Sequence, residues 1–136
     1  MASLDTLFEA AKAIQAKAYA PYSRFKVGAA IATPDGRIFT GCNVENAAYP
    51  VGSCAEAGAI SAMIAAGESR IAEIVVLGEG DVLCTPCGGC RQRIAELAAP
   101  DTPVHLCGPE GVRRTTTVGD LLPFGFGADD LGEARA

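Results

Sequence analysis

Apolar residues near the start of the chain recur at helical spacing, with Leu4, Leu7, Phe8, Ala11, Ile14 and Ala18 on one face. Ser3 can cap this helix, Asp5 in its first turn suits the helix dipole, and Pro21 is expected to end it. The period then changes. Phe25 to Ile31 reads as a strand, Thr33-Pro34-Asp35-Gly36 as a turn and Arg37 to Thr40 as the return strand of a hairpin. Residues 55 to 66 are rich in alanine and helix formers, and Gly67 is a natural stop. Ile74-Val75-Val76-Leu77 is an unbroken apolar run, the mark of a strand buried on both faces.

Cys87 to Cys90 open a further helix over Arg91 to Ala98, closed by Pro100. Two more strands follow, near Pro103 to Cys107 and Arg113 to Thr117, before an apolar tail from Leu121 to Phe126. There is no internal repeat and no linker. This alternation predicts an α/β fold: a three-layer α/β/α sandwich around a central mixed sheet of about five strands. A single domain over residues 1–136 is expected.

Composition narrows the function. Apolar residues make up 49% and charged residues 20%, which supplies a packed core and disfavours disorder. The net charge of −5 disfavours a phosphate-backbone partner, and Arg113-Arg114 is the only adjacent basic pair. A small neutral ligand fits better than a nucleic acid. The chain begins without a basic and apolar leader and has no run able to span a bilayer, so a cytoplasmic protein with no membrane partner is expected. In that setting six cysteines point to metal or redox chemistry before disulfides. Cys42, Cys84 and Cys107 lie among apolar or small residues and read as small buried hydrophobes.

The remaining thiols carry the chemistry. Ser53-Cys54-Ala55-Glu56 and Thr85-Pro86-Cys87-Gly88-Gly89-Cys90 together offer three sulfurs and one adjacent carboxylate. Structural zinc sites close with four protein ligands, whereas catalytic ones keep a position open for water. Cys54, Cys87 and Cys90 would be the ligands, with Glu56 moving protons at the open position. Residues two apart face nearly opposite ways on a helix, so if both address one metal Cys54 must stand at a helix entry with Glu56 in the first turn. Two converging helix N-termini would then set positive dipole ends against the thiolates. Bland readings stand beside this one. Cys87 and Cys90 alone suit a dithiol redox pair, or half of a structural site completed by Cys84, Cys107 or His105. Glu56 alone suits a solvated helix carboxylate.

Five motifs bear on the choice. Tyr22-Ser23-x-Phe25-x-Val27-Gly28-Ala29-Ala30, Gly41-x-Asn43-Val44-Glu45-Asn46-Ala47, Cys54-Ala55-Glu56, Pro86-Cys87-Gly88-x-Cys90-Arg91-Gln92 and Leu121-Leu122-Pro123-x-x-Phe126 occur in that order. Over nearly its whole length the chain resembles the small homotetrameric zinc-dependent cytidine deaminases. The resemblance implies the cytidine deaminase-like fold and hydrolytic deamination of cytidine and deoxycytidine to the uridine nucleosides plus ammonia, in pyrimidine salvage. Zinc on Cys54, Cys87 and Cys90 would be the cofactor, and Glu56 would pass protons from water to the base and the departing amine. It further implies that Phe25 packs near the base, Asn43 and Glu45 read the ribose, and the Ala55 N–H contacts the base. Phe126 would close the pocket of a neighbouring subunit. A carboxylate at Glu45 suits a nucleoside better than a nucleotide. Three rivals are a deaminase of a modified cytosine nucleoside or nucleoside antibiotic, a non-catalytic zinc-binding module, and a dithiol redox protein.

One position departs from the pattern. The family usually has arginine directly after the glutamate, donating to the thiolates, where this chain has Ala57 and then Gly58. Arg91 and the helix dipoles are the substitutes the sequence offers.

Overall fold

The structure, a computed structural model, describes residues 2–132. Helix α1 covers Leu4–Gln15, and the Ser3 hydroxyl accepts the Thr6 N–H at 3.1 Å as its cap, a bond worth about 1 kcal/mol. It stops earlier than its apolar spacing suggests. The amides of Lys17 and Ala18 bond only three residues back, to Ile14 and Gln15, so the helix tightens and ends well before Pro21. Ala18 remains buried in the turn that follows.

Strands β1 (Gly28–Ala32) and β2 (Ile38–Cys42) form the hairpin, with Gly36 at φ 86° in its turn. Then come α2 (Ala55–Ala65), β3 (Glu73–Leu77), α3 (Gly88–Leu97), β4 (Pro103–Gly108), β5 (Gly111–Thr117) and the single turn α4 (Val118–Leu121). One five-stranded sheet results, in the order β2-β1-β3-β4-β5. Only β3 and β4 run parallel, joined through α3; the other neighbours are antiparallel. The first strand begins later than expected. The backbone of Phe25 to Val27 is held by scattered side chains. Asn43 accepts the Val27 N–H and donates to the Phe25 C=O, both at 2.9 Å, while Glu79 accepts the Lys26 N–H and Gln15 donates to the Lys26 C=O. These side-chain bonds take the place of a sheet ladder.

Alternate residues of the central strands serve two separate cores. Ala29, Ile31, Ile74, Val76, Val104 and Leu106 pack with Ala59 and Met63 of α2 and Ile94 of α3. Their neighbours Ala30, Ala32, Val75, Leu77 and Cys107 pack with Leu7 and Ala11 of α1. The layers are therefore helix, sheet, helices, and the central strands are apolar throughout because both faces are covered.

One close approach fixes the second layer. A Cβ at Gly41 would overlap the Ala59 nitrogen and the Ala55 carbonyl oxygen, so the backbone of α2 rests directly on β2. That contact sits at the first turns of α2, where Cys54 and Glu56 are.

Candidate metal and acid–base site

Cys54 is the N-cap of α2 and Cys87 the N-cap of α3, both with extended backbone and neither with a side-chain cap bond to its helix. Cys90 lies in the first turn of α3 and is fully buried. These are cap positions where Ser, Thr, Asp or Asn would ordinarily stand. The three sulfurs instead converge: all lie within 4.8 Å of one another, and Cys54 and Cys87 are 3.9 Å apart.

A tetrahedral ion with metal–sulfur bonds of ~2.3 Å would hold its ligands roughly 3.8 Å apart. The cluster fits such an ion. Burial raises the pKa of Cys54 and Cys90, while the Cys90 backbone N–H lowers that of Cys87. A dication among the sulfurs is what would make all three thiolates.

No fourth protein ligand joins them among the described residues. His105 is committed elsewhere, 2.5 Å from Glu73 and 2.9 Å from Thr115. Cys107 belongs to the core on the far side of the sheet. Cys84 packs beside Phe25 over Gly78, its thiol pushed up to about 11 by burial and by the nearby Glu56 charge. All six cysteines are unpaired as disulfides.

Glu56 stands in the first turn of α2 at 4% exposure. Burial raises its pKa, opposed by its own backbone N–H and by the Arg93 charge. Its carboxylate bears electrostatically on Cys54, Cys87, Cys90 and Cys84 alike. A buried carboxylate beside three thiols, held above its ordinary pKa by burial, is a candidate proton-transfer group.

Cys54 also forms part of the wall of a cleft of about 490 Å³, together with Asn43, Glu45, Tyr22 and Tyr49. The floor of this cleft is tied down by side chains. Glu45 Oε1 accepts the N–H groups of Tyr22 and Ser23 at 2.9 and 3.0 Å, and its Oε2 accepts the Ser23 hydroxyl. These bonds lower the Glu45 pKa, the Ser23 hydroxyl foremost. Asn43 clamps the next stretch as described above, and between the two clamps Arg24 is held at φ 58°, a left-handed conformation that costs a non-glycine residue. Tyr22 and Tyr49 meet edge to face with centroids 6.3 Å apart.

Of the expected site residues, Asn43, Glu45 and Cys54 line this wall; Glu56, Cys87 and Cys90 lie off it, and so do three of the expected substrate contacts. Phe25 packs over Gly78. Ala55 is buried at the start of α2, where its N–H has no helical acceptor. Phe126 sits on a different groove near the end of α3, its carbonyl accepting from Gln92 at 2.7 Å. Sequence reasoning passed over one contact. Arg91 bonds the carbonyls of Pro86 and Leu121, at 2.9 and 3.1 Å, so it is not the cation at the thiols. Arg93 is: its Nη1 lies 3.5 Å from Cys90 Sγ. The three-residue spacing from Cys90 was the available signal.

Comparison with known proteins agrees with this geometry. Residues 1–106 match the family model of the cytidine and deoxycytidylate deaminase zinc-binding region. The chain is 39% identical over 131 residues to a cytidine deaminase of Sporosarcina psychrophila, covering 96% of each chain. It is 45% identical over 121 residues to one from Mycobacterium tuberculosis, covering 88% of this chain and 86% of that one. Among solved structures, a cytidine deaminase from Burkholderia pseudomallei superposes with a TM-score of 0.86 at 50% identity, covering 91% of this chain and 99% of that one. The cofactor suited to the three thiols is zinc. The match takes in both cysteine segments and the sheet that carries them: the chain belongs to the cytidine deaminase family.

Proposed function

We infer that this protein is a zinc-dependent hydrolase that deaminates cytidine and deoxycytidine to uridine and deoxyuridine, releasing ammonia. The observation that carries the reading is the meeting of three thiols and one buried carboxylate at two helix starts, with no fourth protein ligand among the described residues. Cys54, Cys87 and Cys90 would hold zinc, which when bound supplies the positive charge that makes water acidic enough to react at neutral pH.

Glu56 moves the protons. It takes one from the attacking water, passes it to N3 of the base, and helps protonate the departing amine, so cytidine and water become uridine and ammonia. Its burial supports this role, because a raised pKa lets the carboxyl keep a proton between transfers. The Ala55 N–H, free of a helical acceptor, is a donor for the base, and Phe25 packs near it.

Valence counting supports Asn43 and Glu45 as the ribose readers. Asn43 Nδ2 uses one N–H on Phe25 and has a second to give. Glu45 Oε2 accepts from Ser23 and has a lone pair left. One donor and one acceptor side by side suit a sugar hydroxyl pair. The Glu45 charge at the same cleft opposes a phosphate, which favours nucleosides over nucleotides.

The whole chain would act as one catalytic domain in a homotetramer, with Phe126 reaching the site of a neighbouring subunit. Phe126 is 58% exposed and Phe124 fully exposed, beside an apolar groove and off the cleft of their own chain. Aromatics exposed on a single chain in this way are favoured at interfaces, where association buries them. A cytoplasmic setting and pyrimidine salvage complete the reading, supported by six unpaired cysteines and by the absence, among the described residues, of any helix able to cross a membrane.

The test is zinc quantification of the purified protein with ultraviolet monitoring of cytidine, deoxycytidine, deoxycytidylate and modified cytosine nucleosides. Loss of cytidine and deoxycytidine with release of ammonia is expected, with deoxycytidylate spared. Zinc-loaded protein that turns over neither nucleoside would refute the reading.

A further inference from the structure

The thiol cluster has a charge problem that zinc alone does not solve. Three thiolates and the Glu56 carboxylate outweigh the two positive charges of the ion. Helix dipoles supply only about half a charge each. Ala57, next to Glu56, supplies none. Arg91 faces away, bonded to Pro86 and Leu121. Among the described residues, Arg93 is the cation that hydrogen-bonds a thiol of the cluster.

Its reach follows from helix geometry. Side chains on a helix lean toward the N-terminus and meet residues three and four positions back. For Arg93 these are Cys90, its partner, and Gly89. A Cβ at Gly89 would come within 3.2 Å of Arg93 Nη1, tight enough to crowd the guanidinium. The second glycine of Cys87-Gly88-Gly89-Cys90 therefore leaves the path that Arg93 takes. The same charge acts on Glu56, so one guanidinium touches the metal side and influences the acid–base side of the site.

We propose that Arg93 is a positioning residue that balances the thiolate charge of the zinc site and slows loss of the metal, with Gly89 providing the space its guanidinium occupies. This rests on the zinc reading above. Outer-shell partners of metal ligands typically contribute 10–100-fold in metal affinity, and a charged donor to a thiolate is among the stronger kinds.

The experiment follows zinc transfer from the holoenzyme to a chromophoric chelator, with thermal melting of the metal-free protein alongside. Arg93→Met keeps an apolar stem without charge and should weaken zinc affinity about 10–100-fold, the outer-shell range. Melting of the metal-free form should stay unchanged, because Arg93 is exposed. Arg93→Lys keeps the charge but not the planar fork and should recover part of the loss. Gly89→Ala should move zinc transfer in the same direction as Arg93→Met, by less. Should Arg93→Met not fold, the neutral Arg93→Gln takes its place with the same expectation. Neutral variants that hold zinc as tightly as wild type, while wild type binds one zinc per chain, overturn this inference alone. A wild-type protein that binds no zinc overturns the functional reading and this inference with it.

Discussion

The two helix starts that meet at the thiols are built alike and equipped differently. Both α2 and α3 place a cysteine at the N-cap where an oxygen-bearing side chain is usual. Beyond the cap they diverge. The first turn of α2 carries a buried acid, Glu56, and lies flat on β2 across Gly41. That of α3 carries the third thiol and, one turn later, a cation that folds back onto it. In the proposed mechanism one helix contributes the proton carrier and the other the counter-charge, and they lean on different supports. Perturbing α2 should disturb chemistry, whereas perturbing α3 beyond its thiols should disturb metal retention.

The largest effect is expected where the two helices share a task. Cys54→Ala should lose zinc and deamination together, by metal analysis and nucleoside assay. Glu56→Gln should keep zinc and the fold while turnover falls roughly 10²–10⁴-fold, the scale of a general acid–base group. Near-normal turnover in Glu56→Gln would take it out of the mechanism and erase the contrast between the helices.

A second experiment asks whether the site ends at its own chain. Glu56→Gln subunits refolded together with Phe126→Ala subunits should regain part of the activity, because some sites then combine an intact Glu56 with an intact Phe126. Activity no higher than the sum of the separate variants would confine Phe126 to its own chain.

The support under α2 gives a smaller effect, exerted through packing. Gly41→Ala forces a methyl group into the α2 backbone and should cost about 1–3 kcal/mol. A lower melting temperature with reduced turnover and retained zinc is expected from calorimetry and assay; an unchanged melting temperature would mean that α2 can give way. The smallest effect belongs to Cys84→Ala. With its pKa pushed up to about 11, Cys84 stays protonated at neutral pH, and zinc content should not change.

Much of this architecture was legible because periodicity reports burial. The run Ile74 to Leu77 announced a strand covered on both faces, and its alternate residues do enter the two cores. The cysteine motifs suggested that three thiols could meet at one metal, and that meeting required the helix-entry positions that Cys54 and Cys87 occupy. What sequence could not convey depends on side chains replacing backbone partners. Phe25 to Val27 look like strand, yet Asn43 takes the Val27 N–H and the Phe25 C=O, and Glu79 and Gln15 take the backbone groups of Lys26. Arg91 and Arg93 are equally basic on paper. Which of them reaches the thiols is decided by the direction a side chain leans from α3 and by the open space over Gly89.

The central claim is a metal with three protein sulfurs and one position left for chemistry, and X-ray absorption at the zinc edge of the purified holoenzyme tests it most directly. The account predicts three sulfur neighbours, lost in turn from Cys54→Ala, Cys87→Ala and Cys90→Ala, with one lighter oxygen neighbour. Four sulfur neighbours would contradict it and make the site structural.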